Sequence, residues 1–148
     1  GASTPEVRGG TAHAVPLDAA LFAAIVEHVR DEHLQARAFL VWMGDGLDAS
    51  GLTEQARALG AAGLVEKRSG TGTLCEPEPP RCRVDGAESI LRINAVEVET
   101  GITAVQIFVG HSIDGAGGPR VRGSARELTL EARGEVWEVT ADTLLFVT

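Results

Sequence analysis

The stretch Ser124–Thr148, SARELTLEARGEVWEVTADTLLFVT, determines the fold that this sequence predicts. Apolar residues alternate with polar ones on both sides of the turn at Gly134-Glu135, namely Leu128, Leu130 and Ala132 before it and Trp137, Val139 and Ala141 after it. A period of two is typical of strands with one buried face, so the stretch predicts two long strands joined tightly. The alternation assigns Asp142 to the polar face, and the chain ends on the apolar run Leu144–Val147.

Upstream, the residues after Pro16 predict a long helix. Apolar side chains recur at helical spacing from Leu17 to Val29, and the pattern predicts a helix from Leu17 to about Arg37. In an α-helix His28 and Glu32 lie one turn apart on one face, whereas His33 is rotated from His28 by about 500° and points elsewhere. Because only two ligands converge, we expect a solvated helix face and no metal site.

The segments between these elements predict further strands and a short helix. Ala38–Met43 is wholly apolar and predicts a strand buried on both faces. Leu52–Leu59 predicts a short helix capped by Ser50 or Thr53, and a strand follows at Leu64–Arg68. Three long extended segments come next, the first with a bulge where its alternation slips: Ser89–Thr100, Thr103–Ile113 and Arg120–Arg133.

This order predicts an α+β fold, in which a curled antiparallel sheet packs around the long N-terminal helix. We expect one domain over residues 15–148, preceded by an arm of small residues over 1–14. The hairpin containing Trp137-Glu138-Val139 after Gly134, and the helix Leu17–Val29, are similar to the ketosteroid-isomerase-like and SnoaL-like superfamily, with the cystatin-like arrangement as a close relative. The resemblance implies a cone-shaped barrel with an acid/base pair inside it.

The isomerases of that superfamily use a Tyr in their active site. This chain contains no Tyr, so their active site cannot be assigned to it. The polar residues to inspect first are His111, Asp45, Arg92 and Glu97. His111 shares the apolar face of its segment, so it either lines a cavity or is a satisfied histidine at the rim of the core. The aromatic candidates for lining a pocket are Trp42, Phe108, Trp137 and Phe146.

Charge and composition exclude several classes of function. The 148 residues contain 13 Lys and Arg against 21 Asp and Glu, a formal net charge of −8. Nucleic-acid binders need clustered basic residues, so we expect no nucleic-acid partner. No apolar stretch of about 18 residues is present, so we expect no membrane span. No motif indicates a cofactor.

The two cysteines indicate the compartment. Six residues separate Cys75 from Cys82, which does not match the short spacing of zinc sites. We predict a disulfide across this Pro-rich loop, with two free thiols in a reducing compartment as the alternative. The disulfide, together with an N-terminus that suggests processing, predicts a secreted or periplasmic protein.

These observations do not identify a function by themselves. We expect a non-catalytic binding or assembly module that binds a protein partner or itself. Its arm, residues 1–14, packs on its own domain or contacts a neighbouring subunit. The alternative is a small-molecule carrier or enzyme, of isomerase or hydrolase type, that uses the interior of the cone. An inhibitor or immunity-type protein that binds a basic partner is the third hypothesis.

Overall fold

The structure is a computed structural model that describes residues 15–35, 37–44, 46–66, 75–77, 80–82, 89–113 and 120–148. The predicted arm lies outside these residues, as does Asp45. The elements in chain order are β1 (Val15–Pro16), α1 (Ala19–Val29), a π-helical turn (Arg30–Leu34), β2 (Phe39–Met43), β3 (Leu47–Asp48), α2 (Thr53–Ala58), β4 (Gly63–Glu66), β5 (Cys75–Pro77), β6 (Pro80–Cys82), β7 (Ser89–Glu99), β8 (Ile102–Ile113), β9 (Arg120–Arg133) and β10 (Val136–Val147).

A six-stranded sheet in the order β10-β9-β8-β7-β2-β4 forms the centre of the molecule. Strands β7 to β10 are an antiparallel meander, as predicted, and the predicted bulge in β7 lies between Ile93 and Ala95. Strand β2, however, runs parallel to both β4 and β7. The sheet is therefore mixed rather than wholly antiparallel. Its edge strands β10 and β4 do not pair with each other, so the expected closure into a barrel is wrong.

Helix α1 covers one face of this sheet. Asp18 caps the helix, since its carboxylate accepts a hydrogen bond from the backbone N–H of Leu21 at 3.0 Å. The apolar stripe that predicted the helix is buried against the sheet and forms the main core with inward side chains of β7, β8 and β9. The predicted α-helix is confirmed from Ala19 to Val29. It continues as the π-helical turn and ends at Gln35, which has a left-handed φ of 49°.

The opposite face of the sheet carries a second, smaller cluster. Strand β2 is buried along its whole length, as predicted, and its side chains alternate between the two clusters. The short helix α2 is also confirmed, but neither Ser50 nor Thr53 caps it. Leu52 occupies the cap position without a side-chain hydrogen bond, while the Ser50 N–H bonds Asp48 instead. Within the described residues no helix has the length and apolarity required to cross a membrane.

Candidate functional site

Four polar side chains meet where the C-terminal end of the helix lies over β9 and β10. The Nε2 atoms of His28 and His33 each lie 2.7 Å from Oδ2 of Asp142. The other carboxylate oxygen, Oδ1, accepts a hydrogen bond from Nη1 of Arg126 at 3.0 Å. We name these four residues the His–Asp cluster. Sequence periodicity did not predict this cluster.

The π-helical turn explains why His33 belongs to the cluster. The turn is closed by an i to i+5 hydrogen bond, from the Gln35 N–H to the Arg30 carbonyl at 3.3 Å, so each turn contains more residues than an α-helical turn. His33 is thereby rotated back toward His28, and the two rings lie 5.7 Å apart in an edge-to-face arrangement. The expectation that His33 points elsewhere is wrong, and Glu32, which was predicted to share the face of His28, is exposed.

A β-bulge explains why Asp142 belongs to the cluster. The pairing of β10 with β9 shifts between Val139 and Ala141, so one extra residue enters β10. The alternation of faces is reset by this residue, because a shift by one position exchanges the two faces of a strand. Trp137 and Val139 pack on the main core, and beyond the bulge Asp142 also faces the helix. Its assignment to the outward polar face is therefore wrong.

The cluster is partly shielded from solvent, and its two histidines and Arg126 change the pKa of Asp142. The side chains of His28, His33 and Asp142 are each 18% exposed, and that of Arg126 is 22% exposed. Burial alone would raise the pKa of Asp142, but hydrogen bonds from His28, His33 and Arg126 outweigh it and lower the pKa to about 2. Asp142 is therefore a carboxylate at neutral pH, held by three nitrogen donors.

His111 lies near this cluster but has its own partner. Its Nδ1 is 2.7 Å from the hydroxyl oxygen of Ser89, its register partner on β7. Burial first, and then electrostatic interactions with Arg37 and His33, lower the pKa of His111. Ser89 is fully buried, so its hydroxyl is not accessible to a substrate. This geometry favours the histidine satisfied at the rim of the core over a catalytic pair.

The other polar candidates do not converge with His111. The guanidinium of Arg92 lies 5.2 Å from the centre of the Trp42 ring, on the sheet face opposite α1. Within the described part of the chain, Arg92 Nε and Trp42 Nε1 are buried without a hydrogen-bond partner. Glu97 is exposed on β7, and Asp45 lies outside the described residues.

The four aromatic candidates for lining a pocket lie in three different surroundings. Trp42 and Phe108 belong to the second cluster, on the sheet face opposite α1. Trp137 packs on the edge of the main core, while Phe146 is 58% exposed. The structure therefore does not bring the four side chains together around one space.

Strand β10 also presents an exposed apolar segment. Four consecutive side chains are each about half exposed or more: Leu144 (50%), Leu145 (49%), Phe146 (58%) and Val147 (67%). β10 is an edge strand, so its outer backbone groups face no other strand in the part of the chain that is described. We call Leu144–Val147 the apolar end of β10.

The comparisons with known proteins give no relative for this geometry. No family model, no curated protein and no solved structure matches the chain. The features that bear on function are therefore the His–Asp cluster and the apolar end of β10.

Proposed function

We propose that this chain is a secreted, non-catalytic assembly module that associates with a second copy of itself through the open edge of β10. The observation that carries the proposal is the apolar end of β10, where four consecutive large side chains are exposed on an edge strand. Proteins usually protect such edges with charged residues, prolines or bulges that turn the strand away, because an unprotected edge pairs with another chain. A bulge lies between Leu144 and Phe146, but no charge or proline accompanies it.

The charge distribution favours a second copy as the partner. Each copy carries a net charge of −8, so two copies repel except where their surfaces are uncharged. Thr143–Thr148 contains no charged side chain. Antiparallel pairing about a two-fold axis at Leu145 aligns Leu144 with Phe146, and Thr143 with Val147, of the other copy. No like charges face each other in that register, and Leu144 meets the apolar Phe146 of the other copy.

Two sequence predictions belong to the same proposal. We propose that residues 1–14 add contacts to the neighbouring copy, and that Cys75 and Cys82 form a disulfide in an oxidising compartment. The register of β5 and β6 supports the disulfide, since it pairs Cys75 with Cys82. Directly opposed residues in an antiparallel pair have Cα–Cα separations of about 4.5–5.5 Å, within the range that a disulfide requires. A mass increase of about 2 Da on reduction tests the bond, and an unchanged mass refutes it.

The alternative function, a small-molecule site inside a cone, has less support. Phe22, Ile25 and Val29 are fully buried between α1 and the sheet, so helix side chains fill the space that a ligand would need. The superfamily resemblance and the curling of the sheet into a cone remain predictions. A measured structure with an enclosed cavity under α1 would favour this alternative.

Analytical ultracentrifugation of the full chain tests the assembly proposal. We expect the wild type to dimerise in the micromolar range, and Phe146→Lys to remain monomeric because each copy would bury an ammonium group against the apolar Leu144 of the other copy. Val98→Lys is the matched control, since Val98 is an apolar side chain on β7 with 64% exposure. Added salt should strengthen the dimer, because screening reduces the repulsion between the two acidic copies.

Three outcomes would overturn this arrangement. A wild type that stays monomeric up to about 100 μM does not have the micromolar dissociation constant that the proposal requires. Equal loss of dimer in Val98→Lys and Phe146→Lys would assign the effect to charge rather than to β10. Loss of the dimer on deletion of residues 1–14, with Phe146→Lys unaffected, would assign the interface to the arm.

A further inference from the structure

The His–Asp cluster contains the donor set of a metal centre. His28 Nε2, His33 Nε2 and one oxygen of Asp142 all lie within 4.8 Å of one another. Two imidazoles and one carboxylate are a ligand combination that binds Zn²⁺ and other divalent first-row transition metals in proteins. The Asp142 side chain is ionised, as such a ligand must be.

Two independent backbone irregularities produce this convergence. Without the π-helical turn His33 would leave the helix face of His28, and without the bulge Asp142 would point to the other side of β10. Both kinds of irregularity occur often at functional sites, where they redirect a side chain. Packing of α1 on the sheet by itself requires neither the π-helical turn nor the bulge, so their coincidence at one place supports a shared role for these three side chains.

The surroundings of Asp142 resemble the support that metal-ligating carboxylates receive. Arg126 binds only Oδ1, at 3.0 Å, and its own Nε donates to the hydroxyl of Ser124 at 3.2 Å. The guanidinium thus fixes the orientation of the carboxylate and leaves Oδ2 directed at the two histidines. Outer-shell hydrogen bonds of this kind orient metal ligands and tune their affinity.

We propose that His28, His33 and Asp142 bind one divalent transition-metal ion, Zn²⁺ or a neighbour in the series, with a remaining position open to water. Bonds of about 2.0–2.2 Å in tetrahedral geometry separate neighbouring ligand atoms by roughly 3.3 Å. The 2.7 Å contacts of both Nε2 atoms to Oδ2 must therefore lengthen by about 0.6 Å, which small side-chain rotations provide. The 18% exposure of each ligand gives the ion a path from solvent.

Titration calorimetry of the tag-free, chelator-treated full chain with ZnCl₂ tests the site. We expect one equivalent of Zn²⁺ to bind the wild type, and His33→Gln and Asp142→Asn each to lose that binding. Arg126→Gln should weaken binding by about 10–100-fold, since it removes only the support of the carboxylate. Substitution with Co²⁺ gives a second readout, because nitrogen and oxygen ligands of a four-coordinate site produce visible absorption bands that the two ligand variants should lack.

Two variants are matched controls. His111→Gln removes a histidine that lies near the cluster but bonds Ser89, and Glu32→Gln removes the exposed carboxylate beside His33. Both should bind one equivalent with unchanged affinity, and circular dichroism should show that all variants are folded. No saturable binding by the wild type would overturn the proposal. So would equal loss in Glu32→Gln, which indicates adsorption to surface carboxylates, or full retention of binding in folded His33→Gln and Asp142→Asn.

Discussion

The two halves of β10 have similar apolar content but opposite surroundings. In the first half, Trp137 and Val139 pack on the main core, and Asp142 contacts both histidines near the end of the helix. In the second half, Leu144–Val147 are exposed. The difference depends on whether another element packs on the strand, because the apolar pattern itself continues to the end of β10. The helix and the main core cover the first half and leave the second half exposed. An apolar sequence therefore specifies the need for a partner surface, and the folded chain provides one only for the first half.

The largest expected loss of stability comes from a substitution in the main core under α1, the region that also covers the first half of β10. Phe22 on α1 is fully buried in the main core. Phe22→Ala should lower the free energy of unfolding by about 3–5 kcal/mol, because it removes buried apolar surface and leaves a cavity under the helix. Urea denaturation followed by circular dichroism measures the loss. A loss below about 1 kcal/mol would contradict the packing of α1 on this sheet.

The second effect concerns Asp142, which lies between the two halves of β10 and bonds His28, His33 and Arg126. Its pKa is lowered from 3.8 to about 2 and its side chain is 18% exposed, which corresponds to a contribution on the order of 2 kcal/mol. This contribution is present above the unfolded-state pKa of 3.8 and is lost as the pH falls through 2. In metal-free buffer, the stability of the wild type should fall more steeply between pH 4 and 2 than that of Asp142→Asn. Parallel curves of stability against pH for the two proteins would show that the Asp142 carboxylate does not stabilise the fold.

The third effect tests how α1 begins. Asp18→Ala removes the carboxylate that accepts from the Leu21 N–H, and should destabilise the protein by about 1 kcal/mol. Asp31→Ala is the matched control, since its carboxylate is exposed and pairs only with the neighbouring Arg30. Thermal unfolding should show a lower Tm for Asp18→Ala and an unchanged Tm for the control. Equal shifts would mean that the cap does not stabilise the helix.

The smallest effect belongs to the apolar end of β10. Phe146→Ala removes a side chain that is 58% exposed, so the stability of the dilute monomer should change by less than about 0.5 kcal/mol. At concentrations where the wild type dimerises, the same variant should lose more stability, because folding is then linked to association. A large loss in the dilute monomer would show that Phe146 is buried within one chain and would remove the basis of the assembly proposal.

Sequence patterns predicted the regular elements and the bulge in β7, but failed at the π-helical turn and at the bulge between Val139 and Ala141. The helical spacing of Phe22 and Ile25 and the alternation in β9 predicted α1 and the final hairpin. The histidine pair was missed because an α-helical period places residues five positions apart on different faces, whereas the π-helical turn aligns them. Asp142 was missed because one bulge residue in β10 exchanges the two faces of the strand. Signals for both lie in tertiary packing and not in local propensity.

The sequence by itself determined the α+β class, the helix after Pro16, the buried strand β2 and the long strands of the meander, because hydrophobic periodicity and turn residues act over a few neighbouring positions. Only the tertiary structure decided that β2 joins β4 and β7 in parallel, that the sheet stays open, and that His28, His33 and Asp142 meet. Those outcomes depend on contacts between residues up to 114 positions apart. Such contacts form when the packing of a helix on a sheet stabilises a π-helical turn and a bulge that local sequence does not specify.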